Sequence, residues 1–294
     1  MELKILVSRH SAFYSPLIAT IAGPFLLEEG LSATYGVLAP GQTSREMLHS
    51  GAAHIIQSAV SSNWGPMEKG IEGLPFHFAQ INIRDGFFLA ARQPGSAPFA
   101  WKDLEGRTLL ADHGGQPLAM LRYAAHVNGV DWNRIHTIDA GSPEQMVDAF
   151  RNGQGDFIHL QGPAPHQLAL EGLATIRVSV GASMPPVAFS SLVALPEFLA
   201  SDAAARFLRA YGKARSWVRE ANAETIADTE SSFFPTVPRQ ALCAAIADYQ
   251  KLGCWNGEIE IPQDLYEQSL NVFEHSRLIN RRQGYAAVVR RVGE

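Results

Sequence analysis

Short apolar, strand-like runs alternate with helical segments along the first two thirds of the chain. Three of these runs occupy residues 4–7, 34–38 and 54–60. Between them, Ser15 followed by Pro16 is typical of a helix start, because serine caps free N–H groups and proline suits the first turn. Ser44 is a second candidate cap, and Pro24 predicts a break in the first helix. This alternation predicts an α/β fold with a largely parallel sheet between helices.

Two linkers divide the chain, at residues 92–98 and 183–186. Before the first linker, β-rich segments at 76–83 and 87–91 flank Asp85-Gly86, a turn signal. Strand and helix patterns alternate again between the linkers, and from residue 201 onward the chain is almost entirely helical. We therefore predict a second lobe, residues 93–186, inserted into a first lobe made of residues 1–92 plus 187–294. Ligands of open α/β sheets bind at the carboxyl ends of strands, which here face the cleft between the lobes.

Composition and charge exclude several classes of protein. The formal net charge is -5 and the Lys and Arg residues form no basic run, so we expect no nucleic-acid partner. No apolar stretch reaches the ~20 residues that span a bilayer, so we expect no membrane insertion. The two cysteines, Cys243 and Cys254, lack metal-ligand spacing and are predicted to be unrelated thiols, with a single bridge as the alternative. Met1 leads directly into a strand-like run, which predicts a cytoplasmic protein, or a periplasmic one if a leader has been removed.

A glycine-containing turn, Asp112-His113-Gly114-Gly115-Gln116, follows the strand-like residues 108–111. Pro117 stands where the first turn of the next helix is expected. Glycines before a helix allow close approach of the backbone, whose free N–H groups then point at an anion or a polar ligand head. The turn is therefore a candidate for ligand contact, with an ordinary strand-to-helix turn as the alternative.

Several segments match a known pattern in order and spacing: residues 14–17 (YSPL), 25–31 (FLLEEGL), 51–54 (GAAH), 103–109 (DLEGRTL), 129–131 (GVD) and 144–156. They resemble the solute-binding proteins of the nitrate/sulfonate/taurine type and the thiamine-pyrimidine-precursor type. His54 replaces an acid that is usual in that pattern. The resemblance implies a two-lobed type II periplasmic-binding-protein fold, each lobe a mixed sheet flanked by helices. It also implies capture of a small molecule by lobe closure, with an ABC transporter permease as the partner.

The resemblance further implies ligand contacts from the loops that follow strands in both lobes. In the first lobe these are the loops after the first three strands, and in the second lobe the glycine turn and the end of a later strand. The candidates are Arg9, His10, Phe13, Tyr14, Gln42, Thr43, Ser61, Ser62, Asn63, Trp64, Asp112, His113, Gly114, Gly115, Gln116, His159 and Gln161.

Each type of candidate side chain has a chemical role and a structural alternative. Arg9 and His10 offer charge-assisted donors to a carboxylate, sulfonate or phosphate, or form a solvated loop. Phe13, Tyr14 and Trp64 could stack on a flat ring or pack in the core. The polar run 61–63 suits either a ligand or the cap of the next helix.

Two functions follow. The first is binding of a small anionic or heteroaromatic ligand, with no cofactor, no metal and no catalysis. The alternative is a cytoplasmic enzyme of the same fold that acts on a pyrimidine precursor, a sulfonate or sulfinate, or an aromatic acid. The missing leader favours the enzyme, whereas the lack of a cysteine nucleophile in the first lobe and of a metal motif favours the binding protein. Acid–base chemistry by His10, His113 and His159 stays open.

Overall fold

The computed structural model describes residues 1–93, 98–112 and 115–294, and within these ranges ten strands form two five-stranded sheets. In chain order the strands are β1 (Glu2–Val7), β2 (Ser32–Val37), β3 (Ile55–Ser58), β4 (Phe76–Asn82), β5 (Phe87–Ala91), β6 (Thr108–Leu110), β7 (His136–Ile138), β8 (Phe157–Gln161), β9 (Thr175–Ser179) and β10 (Ser190–Ala194). The helices are α1 (Ser15–Ala22), α2 (Phe25–Glu28), α3 (Ser44–His49), α4 (Trp64–Glu68), α5 (Gly115–Val127), α6 (Pro143–Arg151), α7 (Ala164–Leu170), α8 (Pro196–Leu199), α9 (Asp202–Glu220), α10 (Ala223–Glu230), α11 (Arg239–Leu252), α12 (Gln263–His275) and α13 (Tyr285–Val288).

The two sheets share one topology. The first has the order β2-β1-β3-β10-β4 and the second the order β7-β6-β8-β5-β9. In the first sheet β1 is parallel to β2 and β3, whereas β10 is antiparallel to β3 and β4. In the second, β6 is parallel to β7 and β8, whereas β5 is antiparallel to β8 and β9. The fold is thus the predicted α/β architecture of two mixed sheets.

The chain passes between the sheets twice. The first crossing, residues 83–86, joins β4 to β5, and the second crossing, residues 180–189, joins β9 to β10. β5 pairs with β8 and β9, although the predicted boundary at residue 92 leaves it in the first lobe. Asp85-Gly86 therefore does not close a hairpin, because the runs on either side of it belong to different sheets. We propose that the lobe boundaries lie at these two crossings.

Local sequence signals account for several helix ends. Ser142 and Ser201 cap α6 and α9 by accepting backbone N–H bonds, as their residue types favour. Thr43, and not Ser44, caps α3, in a reciprocal capping box with Glu46. The first helix ends at Ala22 and a short one restarts at Phe25, which confirms the break expected from Pro24.

The apolar core lies on both faces of the first sheet and continues into the second. All residues of β3 and β10 are buried, and these include the polar residues Gln57, Ser58, Ser190 and Ser191. Helices α1 and α9 pack against each other beside the first sheet. The polar side chains of the cleft lie at the carboxyl ends of β1, β3, β6 and β8.

Candidate functional site

An ion pair joins the two sheets across the cleft. Arg9 follows β1 and Asp112 follows β6, and the Arg9 Nη1 atom lies 2.6 Å from Asp112 Oδ2. The Arg9 side chain is 26% exposed and that of Asp112 only 4%. The Arg9 guanidinium also lies over the Phe87 ring, 5.5 Å from its centroid. The loop after β1 and Asp112, the first residue of the glycine turn, therefore face each other, while His113 and Gly114 lie outside the described residues.

Two polar side chains of β8 point towards the same region. His159 and Gln161 are two residues apart, so they share a face of the strand, and both are buried. The His159 ring stacks on Phe87, with centroids 4.4 Å apart. Three buried atoms here have no hydrogen-bond partner among the described residues: both ring nitrogens of His159 and the Oε1 atom of Gln161. Burial lowers the pKa of His159 to about 3, so its imidazole is neutral and offers one donor and one acceptor.

Tyr14 completes this group from the first lobe. It is buried at the start of α1, and its desolvation raises the pKa of the phenol, although the Arg9 charge and hydrogen bonds with Gln161 and Ser190 partly offset the rise. The hydroxyl is therefore protonated at neutral pH. Arg9 and Tyr14 of the first lobe thus lie beside Asp112, His159 and Gln161 of the second.

Further hydrogen bonds close the interface between the sheets. The Ser61 hydroxyl donates to Gln116 Oε1 over 2.7 Å, and the Gln116 amide donates to the Phe189 carbonyl over 2.7 Å. The Ser11 hydroxyl donates to the Gly162 carbonyl over 2.6 Å. Gly115 is exposed as the first residue of α5. The lobes are therefore in contact around the buried polar group.

A cavity of about 720 Å³ opens between the lobes next to this group. Among the predicted contacts, Arg9, His10 and Gln161 line it. Its apolar wall includes Val37, Leu38, Val147, Leu160, Phe234 and Val237. A volume of this size holds a small organic molecule, and apolar walls with a few polar groups are typical of such sites.

His10 lines the cavity with both ring nitrogens already engaged. Its Nε2 atom lies 2.8 Å from the Phe233 carbonyl, which only accepts, so Nε2 carries the proton. Nδ1 then accepts from the Tyr35 hydroxyl over 2.7 Å. Burial lowers the pKa of His10 and so keeps the imidazole neutral. The hydrogen bond with the Phe233 carbonyl acts in the opposite direction but is the smaller effect.

Three predicted contacts are packed in the protein instead. Phe13 and Trp64 are fully buried, and the Trp64 indole N–H donates to the Tyr266 hydroxyl over 3.0 Å. The Asn63 amide donates to the Pro75 carbonyl over 2.7 Å. Their polar atoms are satisfied by the protein itself, so the structure favours the structural alternatives for these residues.

Gln42 and Thr43 lie on an exposed loop, and Ser62 is an exposed residue of the short 3₁₀ helix Val60–Asn63. The Gln42 side chain accepts from the Ala39 N–H over 2.8 Å, and Thr43 is occupied by the cap of α3. None of the three lines the cavity among the residues that the structure describes there.

Sequence reasoning missed two residues at the site. The Phe87 ring contacts both the Arg9 guanidinium and the His159 imidazole. Asp85 is fully buried in the first crossing, and desolvation raises its pKa to about 8, despite a hydrogen bond from the Phe87 N–H. Asp85 lies between two strand-like runs, and the glycine that follows it suggested only a turn.

Neither cysteine takes part in the site. Cys254 is buried, Cys243 is half-buried on α11, and both thiols are free. No cysteine occurs among the described cavity-lining residues.

Within the described part of the chain, no three His, Cys, Asp or Glu side chains gather as a metal site. No helix there is long and apolar enough to cross a bilayer.

Comparison with known proteins supports the fold. No protein-family model matches the chain. YtlA of Bacillus subtilis strain 168, itself assigned only provisionally as a binding protein, is 25% identical over 95% of this chain and 88% of its own length. The alkanesulfonate-binding protein SsuA from Xanthomonas axonopodis pv. citri, solved with bound MOPS, superposes with a TM-score of 0.74, covering 99% of this chain and 98% of SsuA at 15% identity. The chain has the fold of the periplasmic solute-binding proteins.

An enzyme shares this fold as well. The desulfurization enzyme DSZB superposes with a TM-score of 0.67 over 98% of this chain and 96% of its own, at 14% identity. At these identities the structural matches define architecture, and the same architecture carries unrelated functions. The resemblance inferred from the sequence is thereby confirmed for the fold, and function has to be argued from the site.

Proposed function

We propose that this protein binds a small molecule in the cleft between its two sheets, in the manner of a solute-binding protein. One observation carries the proposal: the buried His159 nitrogens and Gln161 Oε1 lack partners among the described residues, beside an ion pair that spans the cleft. A buried polar atom without a partner costs about 1–3 kcal/mol. A ligand that supplies the missing hydrogen bonds recovers this cost, so these atoms favour an occupied cleft.

Arg9, Tyr14, His159 and Gln161 are the proposed ligand contacts. They come from both lobes, so a ligand that touches them stabilises the closed arrangement over an open one. Ser61 and Gln116, already bonded to each other, would support closure without touching the ligand.

The test is a thermal-shift screen followed by native mass spectrometry of the purified protein. Nitrate, methanesulfonate, 4-aminopyrimidine and benzoate represent the ligand classes considered. The key variant is His159→Phe, which keeps the stacking on Phe87 and removes both ring nitrogens. His136→Phe, at an exposed position on β7, is the matched control. We expect ligand-dependent stabilisation in the wild type and the control, and its loss in His159→Phe. Equal stabilisation of all three proteins would refute the proposed contacts.

A transporter permease is the partner proposed for a binding protein of this kind. Fractionation of the source cell, with an antibody against the chain, tests the compartment that this role requires. Recovery with periplasmic markers would support the transport role. Recovery with cytoplasmic markers would favour the enzyme of the same fold.

A further inference from the structure

The charges of the cleft balance. Arg9 is a candidate anion receptor, but the Asp112 carboxylate lies against it and is almost fully buried. Tyr14 and His159 are uncharged at neutral pH, because burial raises the pKa of the phenol and lowers that of the imidazole. Asp85 keeps its proton to about pH 8. The inner described part of the cleft therefore carries one positive and one negative charge.

The outer wall of the cavity adds no net positive charge. Glu144, Asp148 and Arg151 of α6 line it. Arg151 is held by Glu171, with Nη2 2.6 Å from Oε1, and lies 3.7 Å from Asp148. The positive end of the α6 dipole also faces the cavity, but Glu144 in its first turn already complements it. An entering anion would meet at least as many carboxylates as cations.

The unpartnered atoms indicate what a ligand should present. Gln161 Oε1 only accepts, so its partner must be a donor. One nitrogen of neutral His159 also accepts and the other donates. A fully ionised oxyanion has no donor to offer these acceptors. An aromatic heterocycle with an amide or amino group offers both kinds of atom, and a ring suits the apolar wall.

We propose that the cleft selects an uncharged aromatic ligand that presents a hydrogen-bond donor, and that Asp112 is the residue that rejects oxyanions. This inference rests on the proposed function, since it names the ligand class of the same cleft. Asp112 acts by neutralising Arg9 and by repelling a second negative group. Without that charge, Arg9 becomes available to an anion.

Matched pairs of probes test the inference. Nicotinamide is compared with nicotinate, and benzenesulfonamide with benzenesulfonate, since each pair differs mainly in charge and donors. Isothermal titration is run on the wild type, on Asp112→Asn and on Asp228→Asn as the control. Asp228 forms an exposed ion pair with Arg239 on other helices. We expect the wild type and the control to prefer the amides by about tenfold or more, a measurable affinity ratio. In Asp112→Asn we expect the affinity for the acids to rise by about tenfold or more relative to the wild type.

Each outcome has a separate meaning. If the wild type binds the acids as tightly as the amides, the selectivity inference is overturned while the proposed function stands. If no probe binds to any folded variant, both fail. If Asp112→Asn does not fold, as judged by circular dichroism, the preference of the wild type across the two pairs decides alone.

Discussion

Gly181 lies directly against the backbone of Asp85, so the two crossings between the sheets touch. A β-carbon at Gly181 would stand 3.0 Å from the Asp85 backbone nitrogen and closer still to the Asp85 carbonyl oxygen, a separation that real β-carbons do not show. The Gly181 carbonyl also accepts from Arg84 Nη1 over 3.0 Å. The region through which the lobes are joined is thus packed at backbone level, where side-chain adjustment cannot relieve a clash.

Replacement of Gly181 by alanine should therefore destabilise the protein. We expect a loss of about 1–3 kcal/mol in the free energy of unfolding, typical of overpacking at a rigid position. Gly65→Ala is the control, because Gly65 lies in α4 with nothing within 4 Å of an added β-carbon. The control should be neutral or more stable, since alanine favours a helix. Urea denaturation measures both, and equal stability of the two variants would contradict the tight crossing.

Asp85 should make stability depend on pH in the neutral range. Its pKa is about 8 in the folded protein, mainly because of desolvation, against an ordinary value of 3.8. As pH rises from about 4 to 8, the unfolded chain loses this proton and the folded chain keeps it, so the free energy of unfolding falls. Asp85→Asn cannot titrate and should lack this component. Denaturation curves at several pH values would count against the assignment if both proteins showed the same slope.

His77 should contribute to acid unfolding. Burial lowers its pKa to about 3, and its Nδ1 atom lies 2.7 Å from the Ser191 hydroxyl. Below pH 6.5 the unfolded chain binds a proton that the folded chain excludes, so stability falls as pH drops towards 3. His77→Gln should show a shallower loss over this window, whereas His49→Gln, at an exposed position, should follow the wild type. Thermal melts from pH 7 to 4 provide the comparison, and parallel curves for the two variants would be the contrary result.

The ion pair between Arg9 and Asp112 should be coupled in a double-mutant cycle. We expect an interaction free energy of about 1–2 kcal/mol from Arg9→Ala, Asp112→Ala and the double variant, because the carboxylate is buried while the guanidinium is partly exposed. The same cycle on the exposed pair Arg239–Asp228 should give little coupling. Guanidinium-induced unfolding measures both cycles. Additive effects at Arg9 and Asp112 would show that the pair does not hold the lobes together.

The Tyr249 hydroxyl should stabilise the protein separately from the packing of its buried ring. That hydroxyl accepts from the Gly162 N–H over 2.7 Å and donates to the Gly86 carbonyl over 2.9 Å. Tyr249→Phe leaves both backbone groups buried without this partner, and we expect a loss of about 1–3 kcal/mol. Tyr123→Phe is the control, because its hydroxyl only receives a 3.2 Å bond from Gln268 at a half-buried position. A similar melting temperature for both variants would argue against the prediction.

Local signals in the sequence predicted the elements well and their pairing less well. Pro24 marks the break after the first helix because the effect of proline acts over a few residues. The predicted boundary at residue 92 leaves β5 in the first lobe, whereas β5 pairs with β8, which is distant in sequence, with Phe87 opposite Gln161. Strand partners of this kind leave no local pattern.

The candidate site shows the same division. Arg9, Asp112, His159 and Gln161 are among the contacts that the family resemblance implies at strand ends, and the structure brings them together. Phe13 and Trp64 occupy equally suggestive positions but are fully buried. Spacing along the chain does not reveal whether an aromatic ring after a strand faces the cleft or the core, since both are apolar surroundings.

The sequence by itself determined the alternation of strands and helices and the strand-end loops that carry polar side chains, because periodicity and capping act over a few residues. Only the tertiary structure decided that Asp112 neutralises Arg9, that Phe87 underlies His159 and that Asp85 keeps its proton. These relations depend on burial and on distances between separate strands, and both arise only when the two sheets pack together.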